Sequence, residues 1–172
     1  SKTVARCLLS VCLICLGLSA PLVHSQSQKA PVGLDEAQVK AAFLFRLPRF
    51  VRWPDGRTSF HFCFEETSDI SATVKALATS VTTATVTILE EETAANASPC
   101  DVVFNPSGNY REEDGSLLLI SDIPNFAADG GMIEIGRRGS RLHLSINVAS
   151  LQRADLTPSS QLLTLSTLVG AD

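Results

Sequence analysis

Two rhythms of apolar and polar positions run along the chain. From Asp35 onward, Val39, Phe43, Leu47 and Phe50 recur at i, i+4, i+8 and i+11, which stacks them on one helical face. Arg46, Arg49 and Arg52 recur every three residues on another face. Asp35 can cap this helix, and Glu36 suits the positive end of its dipole. Pro48 lacks an N–H and clashes with the turn before it, so the spacing predicts a helix over 35–46, a kink, and a last turn ending before Pro54. The rhythm then switches to two. Phe60, Phe62 and Phe64 alternate with His61, Cys63 and Glu65 in a strand over 59–65. Val74, Leu77 and Ala78 mark a helix within 70–80, and the β-branched run 85–89 reads as a second strand. Glu90, Glu91 and Glu92 read as a solvated loop. Two short buried strands follow at 101–104 and 116–120, the second ending at Ser121 and Asp122, with a loop over 105–109 between them. Segments 132–135 and 142–146 form a hairpin around a loop of about five residues, Gly136 to Ser140. Helical spacing returns at 148–152 and at 159–169, where Leu162, Leu165 and Val169 share a face. Thr157 serves as the cap of that last helix and Pro158 as its first residue.

Buried runs such as Leu117 to Ile120 suit strands covered on both sides. The expected fold class is therefore α/β: a mostly parallel central sheet with helices on both faces, plus a C-terminal β-hairpin and a closing helix.

The first 25 residues follow a different logic. Lys2 and Arg6 precede an apolar run from Cys7 to Leu18, and Pro21 and Ser25 close it. This is the three-part layout of a secretory signal peptide, with a buried N-terminal helix as the alternative. We expect 1–25 to be a removed signal peptide, 26–34 a flexible tail, and 35–172 a single α/β domain. Cys12 and Cys15 lack a small-residue lipoprotein site before them, so the exported chain is expected without a lipid anchor. Cleavage removes Cys7, Cys12 and Cys15 and leaves Cys63 and Cys100. In an oxidising compartment these two read as one disulfide, with two buried free thiols as the alternative.

Composition narrows the function classes. The 172 residues are 45% apolar and 19% charged, which excludes wholesale disorder. The net charge of −4 becomes −6 without Lys2 and Arg6, which argues against nucleic-acid binding. No apolar run reaches the length of a spanning helix, so no membrane insertion is expected after signal cleavage. Cys63, Cys100, His61 and His143 have no metal-ligand spacing. No phosphate loop, dinucleotide fingerprint or nucleophile elbow is present, so no cofactor and no catalytic residue is assigned. Asp122 ends a strand where parallel sheets place functional groups, but Asp is also a common turn former.

Several segments together resemble the YfiR-like family of periplasmic proteins. Val39 to Phe45 followed by Phe50-Val51-Arg52-Trp53-Pro54 resembles the family's opening helix. Cys100 to Phe104, Leu118 to Asp122 and Phe126 to Ile133 fall at corresponding blocks. Ile146-Asn147, then Leu156 and Ser159 to Leu163, resemble the closing block. The resemblance covers about residues 37–168. It implies a periplasmic regulator, not an enzyme, that binds the periplasmic domain of a membrane diguanylate cyclase and represses cyclic di-GMP synthesis. It also implies homodimers, sensitivity to disulfide state, and a disulfide at the positions of Cys63 and Cys100.

Some positions depart from the family pattern. Phe45-Arg46 stands where members have Tyr-Asn, Pro48 interrupts the helix, and Arg52 replaces an acidic residue before Trp53-Pro54. The first helix is thereby more basic, and Phe45, Arg46, Arg49 and Arg52 become the candidate partner-binding residues. The alternative reading is a periplasmic small-molecule or envelope-stress sensor acting on a histidine kinase or an outer-membrane receptor system.

Overall fold

Pro48 decides how the first helix ends. In the computed structural model, which describes residues 35–89, 100–105 and 116–170, helix α1 (Glu36–Arg46) tightens into a 3₁₀ turn over Leu47–Phe50. Pro48 lies in the first positions of that turn, where a missing N–H costs little. The chain leaves as β1 (Val51–Arg52) and continues through β2 (Phe60–Phe64), α2 (Asp69–Thr79), β3 (Ala84–Ile88), β4 (Val102–Phe104) and β5 (Leu118–Ser121). The hairpin β6 (Ile133–Arg138) and β7 (Arg141–Asn147) follows, then α3 (Val148–Arg153), β8 (Thr157–Pro158), α4 (Ser160–Thr164) and β9 (Ser166–Val169). The signal and tail segments, Glu90 to Glu92 and most of the 105–109 loop lie outside the described residues.

The fold is α/β, with a mostly parallel seven-stranded sheet in the order β3-β2-β4-β5-β6-β7-β9. The first five strands are parallel, β7 returns antiparallel to β6, and β9 runs parallel to β7. A separate ribbon pairs β1 with β8, matching Val51 with Pro158. Ser159 N–H extends it, donating to Phe50 O at 2.8 Å.

Three details differ from the sequence pattern. Neither β1 nor β8 has a local signal, because each is two residues long and exists only through the other. The hairpin strands run on to Arg138 and Arg141 around a two-residue turn, in which Gly139 takes φ 63° as such turns require. The closing helix is capped by Ser159, whose Oγ accepts from Leu162 N–H at 3.2 Å, and it ends at Thr164. Thr157 and Pro158 belong to β8, and Ser166 to Val169 pair with β7 instead of continuing the helix.

The two faces of the sheet are covered unequally. Register places Phe62, Phe64, Val102, Phe104, Leu118, Ile120, Ile133 and Ile146 on one face. There they form one buried cluster with Ala41 and Leu44 of α1, Val74 of α2, Leu151 of α3 and Leu162 of α4. The opposite face carries Cys63, Val103, Ser121, Glu134, Ser145 and Asn147, all buried. Cys63 forms a disulfide with Cys100, and Val103 and Leu117 pack around it. The loop after β5 is tied to this face at Ile123, whose N–H donates to Ser121 Oγ at 3.0 Å, and at Ala127. Ala127 N–H donates to Glu134 Oε2 at 3.3 Å, and Ala127 O accepts from Asn147 Nδ2 at 3.0 Å.

Candidate functional site

The stripe of α1 that the sequence assigns to the core is only partly covered. Leu47 is buried, but Phe43 of α1 remains 39% exposed on the side that faces α4. A groove of about 330 Å³ opens between them. Leu47, Leu144 and Leu162 are its buried floor, and Phe43 and Leu165 stand on its rim, the latter 69% exposed. Arg46 lines one wall and adds the groove's one charge.

The 3₁₀ turn below the groove is pinned by Trp53. Its Nε1–H donates to Pro48 O at 2.9 Å, and its ring packs on Phe60 with centroids 5.4 Å apart. Arg57 lies over the same ring and pairs with Asp55 and Asp101. Arg57 thereby holds the Asp55 carboxyl below its usual range.

The upper end of α1 is clamped to the carboxyl ends of β4 and β5. Lys40 Nζ donates to Asp122 Oδ2 at 2.8 Å and lies 3.1 Å from Glu36 Oε1. Asn105 Nδ2 donates to Asp122 Oδ1 at 3.0 Å, while Asn105 Oδ1 accepts from Ser121 Oγ and Asp122 N–H. Burial works to lower the Lys40 pKa, but the bonds to Asp122 and Glu36 outweigh it and the value is raised. Asp122 is thus a structural anchor for α1. The strand histidines are likewise local: His61 Nε2 meets Thr87 Oγ1 at 2.7 Å, and His143 Nε2 meets Ser145 Oγ at 3.2 Å. Among the described residues no three potential metal ligands converge.

The four residues singled out for partner binding do not meet at one place. Arg46 lines the groove. Arg49 and Arg52 are exposed beside the β1–β8 ribbon, where Arg49 Nη2 donates to Thr83 Oγ1 at 3.3 Å. Phe45 is half-buried and stacks on Phe62 with centroids 5.5 Å apart, so it supports α1 from beneath. The sequence pattern does not single out Phe43 and Leu165 as exposed, because the same spacing that marks a core stripe also marks an uncovered one.

A family model, DUF4154, described as YfiR/HmsC-like, matches residues 37–167. The chain belongs to the YfiR/HmsC-like family. The matched span takes in α1, the groove, the disulfide and α4. YfiR/HmsC-like proteins are periplasmic and regulatory, and are connected with diguanylate cyclase signalling. No curated protein matches the chain. Among the described residues no helix is long and apolar enough to cross a membrane.

Proposed function

We propose that this YfiR/HmsC-like chain is exported by its first 25 residues and binds the periplasmic domain of a membrane diguanylate cyclase, holding cyclic di-GMP synthesis low. Residues 26–34 then form a tail before a single domain over 35–172. The observation that carries the reading is the groove. A regulatory chain that leaves Phe43 and Leu165 on the rim of an apolar trough keeps a surface whose burial awaits a partner. Arg46 sits where it adds charge selectivity to that contact. Repression follows from differential affinity: the chain shifts the cyclase toward inactivity by as much as it binds the inactive arrangement more tightly.

Calorimetric titration of the chain against the periplasmic domain of a membrane diguanylate cyclase encoded beside it tests this. Saturable binding at micromolar strength or better, about −8 kcal/mol, is expected. Phe43→Ser should weaken it at least tenfold, with an unchanged circular dichroism spectrum reporting that the variant still folds. Absence of saturable heat overturns the reading.

A second reading rests on the groove's size. About 330 Å³ falls within the range of small-molecule sites, which suits a sensor of apolar ligands acting on a histidine kinase or an outer-membrane receptor system. A ligand-dependent rise in the unfolding midpoint, without cyclase binding, would favour it.

A further inference from the structure

The apolar groove continues into a second depression of about 400 Å³, and Val39 and Phe43 line both. The second is bounded by Glu36 and by Arg137 and Arg141 at the tip of the β6–β7 hairpin. Four ionisable side chains therefore line the continuous surface, Glu36, Arg46, Arg137 and Arg141, and three are cations. The one carboxylate is already engaged by Lys40 and Arg137. Among the described residues, no carboxylate pairs with Arg46 or Arg141. The sign is opposite to that of the chain, whose net charge is −4.

The shape points the same way. Val39, Phe43, Leu47 and Phe50 run along α1 and its 3₁₀ extension, and helical rise over that span gives about 16 Å, or three turns. Leu165 opposes this stripe over about one turn above the Leu162 floor, and Leu142 of the hairpin opposes it beside Val39 and Phe43. An apolar stripe of about three turns matches the apolar face of a helix, which is read as anchors one turn apart.

We propose that this surface binds an acidic amphipathic helix of a partner protein. Its apolar row lies in the trough, and its carboxylates reach Arg46 on one flank and Arg141 past Phe43. The inference rests on the docking reading of the groove and adds the chemistry of the segment that fills it.

The test uses the full chain and two synthetic peptides. Both carry Leu at i, i+3, i+4 and i+7 over about four turns; one has Glu at the remaining positions and the other Lys. Fluorescence anisotropy should show the Glu peptide binding at least tenfold more tightly than the Lys peptide, with the difference shrinking as salt rises. The double reversal Arg46→Glu with Arg141→Glu should invert the preference. Both side chains are exposed, so the circular dichroism spectrum should stay unchanged and report that the variant folds. Equal binding of both peptides, binding of neither, or an unchanged preference in the double variant overturns the proposal. Binding of neither peptide together with retention on anionic vesicles would assign the surface to a membrane instead. The cyclase-domain titration fails separately: a bound Glu peptide with an unbound cyclase domain leaves this inference standing and removes the proposed partner.

Discussion

On one face of the sheet, Phe62, Phe64, Leu118, Ile120 and Ile133 meet the undersides of the helices with no polar atom among their side chains. On the other, Ser121, Glu134 and Asn147 are also buried, and each holds a hydrogen-bond partner. The first face draws its stability from area, and any side chain of similar size and apolarity would serve. The second draws it from directed bonds, which fix one arrangement of the 122–131 loop and fail sharply when a partner is removed. The groove lies on the helix side, so its rim rests on the more tolerant of the two foundations.

Removal of area should cost most. Phe62→Ala deletes a ring that is 1% exposed and also supports Phe45, and should destabilise by about 3–5 kcal/mol in urea titrations. A loss under about 1 kcal/mol would show that the helices hold themselves together without the sheet. The disulfide is the opposite face's largest contribution. Its two cysteines are 37 positions apart, so reduction should cost about 4 kcal/mol in the chain-entropy model, read as the shift between oxidised and reduced guanidinium curves.

Asn147 is the more selective probe of that face. It caps α3 by accepting from Ser150 N–H at 3.0 Å while its amide holds Ala127 O. Asn147→Ala should cost about 2 kcal/mol, with faster hydrogen exchange at the Ser150 amide and little change at Phe64.

The smallest effect belongs to the clamp. Lys40→Met should cost about 1 kcal/mol at neutral pH, since the ion pairs it breaks are only partly buried. Because the Lys40 pKa is raised on folding, its contribution is complete below its ordinary value of 10.5 and is lost as pH rises through the folded value. Stability curves of the wild type and Lys40→Met should therefore converge in alkali and stay parallel near neutrality. A constant gap through alkaline pH would remove the ion pairs from the account.

Local patterns carried much of the fold. The period-two run of Phe60, Phe62 and Phe64 placed β2, and the paired strands around Gly139 placed the hairpin. What escaped was decided by distant partners. Ser166 to Val169 continues a helical spacing from Leu162, yet pairing with β7 overrides that short-range preference. Arg137 and Arg138 read as part of the loop between Gly136 and Ser140, although they pair with Leu142 and Arg141 at the strand ends. The candidate site was legible only as a helix. Arg46 could be named from its place in the arginine stripe, whereas Phe43 and Leu47 share one spacing and differ only in what distant segments cover.

The β1–β8 ribbon joins segments near opposite ends of the described chain, so it is a highly non-local contact made by only two residues a side. Phe50, which lines the groove, also accepts the Ser159 N–H that extends the ribbon. So short a pairing should open readily in the native ensemble, giving the amides around Val51 and Ser159 early exchange. A partner seated in the trough then acts as a latch on that opening through Phe50, and its occupancy becomes readable as slowed exchange along the ribbon.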